Sequence, residues 1–461
     1  MTTDVVGVVL AAGKGTRMRS KTPKTLHAVC GSPMLWHVAK AMRDAGIARI
    51  VAVASPALHG DPRFAEAAGP DAHIAVQKEQ LGTADALLAA MNASAGAKHV
   101  AVGAGDMPLV RADTVSRLVA AHVSARALAT VLYSSSAPVA GMGRVKMDGQ
   151  GAPVAVIEEN EATPEELAIR NVNTSWYCFD SAWLWRVLPT IRQRGKREAY
   201  LTDLVELAAQ DGRSAGVEVS EPIEALGVND RAQLARAETA MRERIRSHWM
   251  AAGVTLKDPA TTYIDAEVVI GADTVIYPAV HLRGKSIIGV DCEIGPGGII
   301  TDCVIGDRSK VIASFCDGAQ IGSDVSVGPS SRLRAETVVE DGAYIGNFAE
   351  VKNSRVGRGT HIGHFSYVGD STLGSDVNIG AGTVTCNFDG VRKHETHIGD
   401  GASIGSGTML IAPRRVGARA GTGAGSVVTH DIPDGEVHVG NPARPINSPK
   451  SPRDTKAGSS R

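Results

Sequence analysis

Gly13-Lys14-Gly15-Thr16-Arg17-Met18, with Pro23-Lys24 behind it, brings two glycines, a guanidinium and an ammonium into one short stretch of chain. Glycine lets backbone N–H groups close on phosphate oxygens, and Arg17 and Lys24 supply charge to offset a polyphosphate. Farther along, Gly105-Asp106-Met107-Pro108-Leu109 sets a carboxylate where an apolar run ends. Such a carboxylate can hold a hard cation, which needs few protein ligands when substrate phosphates complete its shell. A strand-end turn cap is the plain alternative for Asp106. A second candidate lies between Thr385 and Ile398, where CysAsnPheAspGlyValArgLysHisGluThrHis interrupts a regular pattern. A polar, positively charged excursion from a smooth surface is more often functional than a tolerated insertion.

Two architectures must position these residues. Val5–Ala11 is a near-continuous apolar run that feeds straight into the glycine stretch, as a strand buried on both faces would. Strand-like runs at Ile50–Ala54 and Val100–Val102 alternate with helical stretches at Leu35–Asp44 and Thr83–Met91, which predicts an α/β sheet with its site at the strand C-termini. Asp230–Ala252 reads as a helix, with Leu234, Ala237, Met241, Ile245 and Trp249 three or four apart. From Ile264 onward an aliphatic residue returns every six positions: Ile264, Ile270, Ile276, Leu282, Ile288, Ile294, Ile300. The phase slips and resumes at Ile305 and Val311, again at Ile321, and runs on to Thr385 and from Ile398 to Val428. A period of six fits neither an amphipathic helix nor an alternating sheet, but it fits a coil whose three flat sides each use one hexapeptide. The domains expected are 1–228, a linker helix over 229–252, a repeat domain over 253–446 and a disordered tail over 447–461.

Composition narrows the function. With 461 residues the chain is long for one core. Lys and Arg number 48 against 49 Asp and Glu, so no net basic field exists to hold nucleic acid or an anionic membrane. Six cysteines without a CxxC pair read as reduced thiols, and no apolar run reaches membrane-spanning length, so a cytoplasmic protein is expected.

Across nearly the whole chain these residues resemble one family, the bacterial bifunctional N-acetylglucosamine-1-phosphate uridylyltransferase/glucosamine-1-phosphate acetyltransferase. The motifs are LeuAlaAlaGlyLysGlyThrArgMet at 10–18, Gln80-Leu81-Gly82-Thr83, Gly105-Asp106, Gly227-Val228-Asn229 and the 346–413 block. That block holds GlyAsnPheAlaGluValLys, GlyHisPheSerTyrValGlyAsp, ValAsnIleGlyAlaGlyThr and ThrCysAsnPheAspGly. The resemblance implies a Rossmann-like α/β nucleotidyltransferase domain, a long linker helix and a left-handed parallel β-helix that assembles as a homotrimer. It places UTP on Leu10, Ala11, Gly13, Gly15, Arg17 and Lys24, and the uracil on Gln77, Gly82 and Thr83. The N-acetylglucosamine 1-phosphate falls on Gly141, Glu158, Asn173 and Thr202, and Mg²⁺ on Asp106 and Asn229. In the β-helix, glucosamine 1-phosphate falls on Arg334, Lys352, Tyr367, Asn378 and Lys393. His364 matches the catalytic base, and Ala381, Asn387, Phe388, Ser406 and Ala424 match the acetyl-CoA site. The chain departs from the family at Ala104 (usually Tyr), Ser175 (usually Gly), Ala335 (usually Pro) and Phe388 (usually Tyr). Its end, Val439-Gly440-Asn441-Pro442-Ala443-Arg444, looks more like simpler hexapeptide acyltransferases.

The activity so implied makes UDP-N-acetylglucosamine, a precursor of peptidoglycan and lipopolysaccharide. Uridylyl transfer needs positioning and charge neutralisation rather than a protein nucleophile, which suits glycine loops, Arg17, Lys24 and a metal. Acetyl transfer needs a base because an ammonium cannot attack a thioester, and histidine is the side chain suited to it near neutrality. A second reading keeps only a sugar-1-phosphate nucleotidyltransferase with a regulatory β-helix, which would need neither His364 nor the Asn387–Lys393 loop. A third, an assembly scaffold on a dead α/β domain, should have lost Arg17, Lys24 or Asp106.

Overall fold

The computed structural model describes residues 4–135, 141–191 and 200–446; the expected tail at 447–461 lies outside them. Contacts divide the chain into two compact units, Met1–Glu243 and Arg244–Arg461.

Among the described residues, the first unit is built on a nine-stranded sheet whose main path runs Ser214–Glu218, Ala129–Ser134, Val172–Asp180, His99–Ala104, Val5–Leu10, Arg49–Ala54, His73–Val76. Neighbours along it are parallel except Val172–Asp180, which is antiparallel to both of its partners. The unbroken apolar run at the start of the chain follows from burial on both faces. Side chains alternate along a strand, so Val6 and Val8 join one core with Leu87, Trp183 and Leu204, while Val5 and Val9 join the other with Leu35, Val38 and Leu118. Gly103 lets this packing close, because a Cβ there would stand 2.8 Å from the fully buried ring of Trp176.

Register fixes what leaves the sheet together. Leu10 and Ala104 are partners across adjacent parallel strands. The glycine stretch after Leu10 and Gly105-Asp106 after Ala104 therefore emerge side by side at the C-terminal edge, as the sequence predicts for the site. The helix Arg231–Ala251 crosses the boundary between the units. Its first half belongs to the first unit, where Glu238 accepts from Cys30 N at 2.7 Å. In the second unit, Ile245 and Trp249 pack on that unit's core.

The second unit stacks short strands into three sheets of 12, 10 and 9. All of their pairings are parallel except Val437–Val439 with Arg444–Pro445. This is the left-handed β-helix of the hexapeptide repeat. Ile264, Ile276, Ile294, Val311, Val327, Ile345, Ile362 and Ile379 all point inward and are buried. The slip between Val311 and Ile321 is occupied: Cys316, 1% exposed, takes the inward place and pairs in register with Ile300 and Leu333. Polar residues sit inside as well, at the corners. Thr360 Oγ1 donates to Gly374 O at 2.7 Å and accepts from Val377 N at 3.0 Å, and Ser309 does the same with Gly322 O and Val325 N. Each buried hydroxyl thus satisfies backbone groups that a turn leaves without ladder partners. Coils approach closely where glycine permits, as at Gly346, whose Cβ would lie 1.8 Å from Gly363 O.

The excursion after Thr385 is more ordered than a bare polar loop. His394 N donates to Asn387 O at 2.8 Å and Phe388 pairs with Lys393 in an antiparallel bridge, making a small hairpin. Asp389 Oδ1 caps its tip by accepting from Val391 N and Arg392 N, both at 2.8 Å. Its other oxygen meets His394 Nε2 at 2.6 Å. The N–H of Arg392, then His394, then the N–H of Val391 hold the Asp389 carboxyl well below the usual carboxylate range.

Candidate active sites

At the edge of the first unit's sheet, Lys24 Nζ forms a salt bridge with Asp106 and donates to Asn229 Oδ1 at 2.9 Å. Arg17 Nη2 donates to the same oxygen at 2.9 Å. The glycine stretch, the Asp106 turn and the Gly227-Val228-Asn229 motif thus converge on one point. Val228 N reinforces this by donating to Asp106 O at 2.9 Å. Gly15 adopts φ 59, and a Cβ there would stand 2.6 Å from Lys24 Cβ, so glycine is what lets the loop fold against that lysine. A Cβ at Gly13 would meet nothing within 4 Å, which leaves its backbone open to a ligand. Ala11 continues the line of Leu10 by donating to Val53 O at 3.0 Å.

Farther along the same edge, Gln77 Nε2 donates to Gly82 O at 3.1 Å and to Asp85 Oδ2 at 3.0 Å, which fixes its amide. Thr83 Oγ1 accepts from Leu201 N at 3.1 Å. Thr202 Oγ1 donates to Glu158 Oε1 at 3.1 Å. Asn173 Nδ2 donates to Tyr177 OH at 2.7 Å, and burial pushes that phenol up so that it keeps its proton. Gly141 is exposed, and a Cβ there would stand 3.9 Å from Glu159 Oε2. Ser175 takes φ 56, inside a bulge between Asn173 and Trp176, with its N–H on Asn173 Oδ1 at 3.1 Å. A left-handed backbone explains why the family pattern has glycine there.

The β-helix candidates form two columns. Asn347, His364, Ala381, Ser406 and Ala424 follow one another down a single corner. Phe365 N donates to Asn347 O at 3.1 Å, Gly382 N to His364 O at 3.2 Å, Gly407 N to Ala381 O at 2.7 Å and Gly425 N to Ser406 O at 2.7 Å. The base expected from the sequence therefore shares its column with three residues expected at acetyl-CoA. His364 is exposed, and its Nδ1 is bonded to Asn347 Oδ1. A carbonyl oxygen only accepts, so in the neutral ring this contact favours the tautomer with the proton on Nδ1, which would leave the Nε2 lone pair to face an incoming amine.

The second column carries charge. Lys352 and Lys393 stand close enough for each ammonium to act on the other. The Lys393 ammonium, with Arg334 nearby, pushes Lys352 below the usual lysine value. Arg334 Nη1 donates to Glu350 Oε1 at 3.0 Å, and Glu350 is the register partner of Tyr367. Tyr367 OH accepts from Asn387 Nδ2 at 3.5 Å. Phe388 is 60% exposed at the base of the hairpin. Asn378 stands apart: it pairs in register with His361, and among the described residues no side-chain hydrogen bond joins it to the cations. The sequence reading missed Asn347, which lies 17 residues, one coil, before His364. It also missed Asp370, the buried carboxylate beneath this cluster. Coil periodicity held the signal for Asn347, since it sits in phase with His364.

Residues 7–211 match the model of the MobA-like NTP transferase domain. The bifunctional protein GlmU of Carboxydothermus hydrogenoformans is 43% identical over 443 residues, covering 96% of this chain and 98% of that protein. The bifunctional protein GlmU of a Geobacillus species is 42% identical over 443 residues, 95% and 96% of the two chains. That of Heliobacterium modesticaldum is 43% identical over 438 residues, 94% of each. Similarity at this level runs through both units and both candidate sites, and this chain belongs to the bifunctional GlmU family.

Proposed function

We propose that the chain makes UDP-N-acetylglucosamine at two separate sites, one in each unit. In the β-helix the amine of glucosamine 1-phosphate attacks the thioester of acetyl-CoA, His364 Nε2 takes a proton from the amine, the C–S bond breaks, and the imidazolium passes that proton to the sulfur so that coenzyme A leaves as the thiol. Arg334, Lys352 and Lys393 hold the phosphate, while Tyr367 and Asn378 orient the sugar. In the α/β unit a phosphate oxygen of N-acetylglucosamine 1-phosphate attacks the α-phosphorus of UTP and pyrophosphate leaves. Gly13 and Gly15 admit the triphosphate, and Arg17 and Lys24 neutralise it. Gln77, Gly82 and Thr83 receive the uracil; Gly141, Glu158, Asn173 and Thr202 receive the sugar. The observation that carries the two-site reading is that His364, oriented by Asn347, stands in one column with Ala381, Ser406 and Ala424 beside a lysine pair. A purely regulatory β-helix has no use for that arrangement.

Mg²⁺ fits the first site. Asp106 and Asn229 offer two oxygens that already gather an ammonium and a guanidinium, and Mg²⁺ bound with substrate phosphates needs only one or two protein ligands. Asp106 and Asn229 would hold it, and it would supply charge neutralisation at the departing pyrophosphate. The functional boundaries follow as 1–228, 229–252 and 253–446. A cytoplasmic setting agrees with six free cysteines and with the absence, among the described residues, of any helix long and apolar enough to cross a membrane. Flat faces of a three-sided prism favour a homotrimer, and sedimentation of an active monomer would count against it. The activities are tested by incubating the protein with glucosamine 1-phosphate, acetyl-CoA, UTP and Mg²⁺ and omitting each in turn. Acetylated sugar phosphate should need no UTP, and UDP-sugar should need all four.

A further inference from the structure

We propose that Asp370 is a positioning residue for acetyl transfer, tying the base of the 387–394 hairpin to the coil that carries Lys352 and so setting the cation pair on the sugar phosphate. The inference rests on the acetyl-transfer reading above.

Asp370 is 8% exposed. A carboxylate so placed is costly unless its oxygens are bonded. Asn353 Nδ2 donates to Oδ1 at 2.7 Å, and Asn387 Nδ2 donates to Oδ2. The backbone repeats the pattern. Asp370 N donates to Lys352 O at 3.1 Å, and Thr396 N donates to Asp370 O at 3.1 Å. One residue therefore holds the preceding coil at Lys352 and Asn353 and both ends of the excursion at Asn387 and Thr396. Lys393, carried by that hairpin, is thereby kept beside Lys352.

Charge works in the same direction. Lys352 is faced by Lys393 from the hairpin, by Arg334 from the coil before and by Asp370 from the coil after. The two cations disfavour the Lys352 ammonium, and Asp370 is the anion that favours it. Glu350, on the same strand as Lys352, is engaged by Arg334. Asp370 thus keeps two like charges close enough to bind one phosphate, a role distinct from touching the substrate.

Asp370→Asn keeps the side chain's shape, removes the charge and sets an amide against two amide donors. KM for glucosamine 1-phosphate should rise about tenfold or more, as loss of hydrogen bonds to a charged group requires. The alkaline fall of kcat/KM should move to lower pH, kcat at saturating sugar phosphate should stay near the parental value, and uridylyl transfer should be unchanged. A folded Asp370→Asn protein with the parental KM and the parental alkaline limb overturns the inference. If that variant does not fold, Asn353→Ala decides, since it removes one donor at an exposed position: a raised KM supports the role and a parental KM overturns it. A parental protein that fails to acetylate glucosamine 1-phosphate would take the activity reading down as well, whereas an active parent with an indifferent Asp370→Asn sinks the positioning role alone.

Discussion

Lys24 and Asp106, 82 residues apart in the chain, form a salt bridge at the edge of the α/β sheet, and Asn229 takes a hydrogen bond from the same ammonium. The pair is largely screened from water, with side chains 14% and 20% exposed. In the proposed reaction this carboxylate would hold the metal, and Lys24 would turn to the triphosphate. Asp106→Ala should therefore lower uridylyl transfer by about 10²- to 10⁴-fold, the several kcal/mol of charge stabilisation a metal provides. Acetyl transfer should be untouched, and EDTA should mimic the substitution. Pyrophosphate release at the parental rate would assign the metal elsewhere.

His364→Ala should cut acetyl transfer by about 10²- to 10⁴-fold, the usual cost of losing a general base. The acid limb of the parental pH–rate profile reports a base that must be unprotonated, so that limb should vanish in the variant. The residue is exposed and contributes little packing, so the thermal midpoint should not move. A folded variant that acetylates normally removes His364 from the mechanism.

Asn347→Ala should weaken the same step without removing it. The imidazole would lose the acceptor that holds its proton on Nδ1. A tenfold fall in kcat or more, with KM for the sugar phosphate unchanged, is expected, on the order of one lost hydrogen bond. Parental kcat in this variant would show that the ring is oriented by other means.

Ser175→Gly should stabilise the first unit by up to about 1.5 kcal/mol. A left-handed non-glycine residue costs about 1–2 kcal/mol, and the freedom glycine gains in the unfolded chain returns about 0.5–1 of it. A lower urea midpoint would mean that the serine hydroxyl makes up for its backbone.

His122 predicts a pH dependence of stability. It is fully buried, bonded through Nδ1 to Thr130 Oγ1 at 2.9 Å, and burial pushes its pKa down from 6.5 to about 4. Between those values the unfolded chain binds a proton that the folded one refuses, so stability falls as pH drops through that window and rises with pH across it. The loss attributable to this group should reach roughly 3 kcal/mol near pH 4. Followed by urea unfolding from pH 7 to 4, the parent should lose stability more steeply than His122→Asn if His122 is responsible, and the two curves should run parallel if it is not.

What the sequence determined by itself is local and periodic. A strand buried on both faces has to be apolar at successive positions, so Val5–Ala11 is visible as a run, and it holds the strand Val5–Leu10. A coil that reuses one inward position every six residues writes that position into the chain, so the β-helix and its break after Thr385 could be read directly. The tertiary structure decided which distant residues meet. Lys24 reaches Asp106 because Leu10 lies beside Ala104 in a sheet whose order differs from chain order. Asn347 orients His364, and Asp370 gathers Asn353, Asn387 and Thr396, because parallel coils stack in a fixed register that places side chains one turn apart in contact. Cys316 and the corner hydroxyls of Ser309 and Thr360 belong to the interior for the same reason: the next coil supplies the groups that bury or bond them. Periodicity states which way a residue points, and only the neighbouring strand states what it meets.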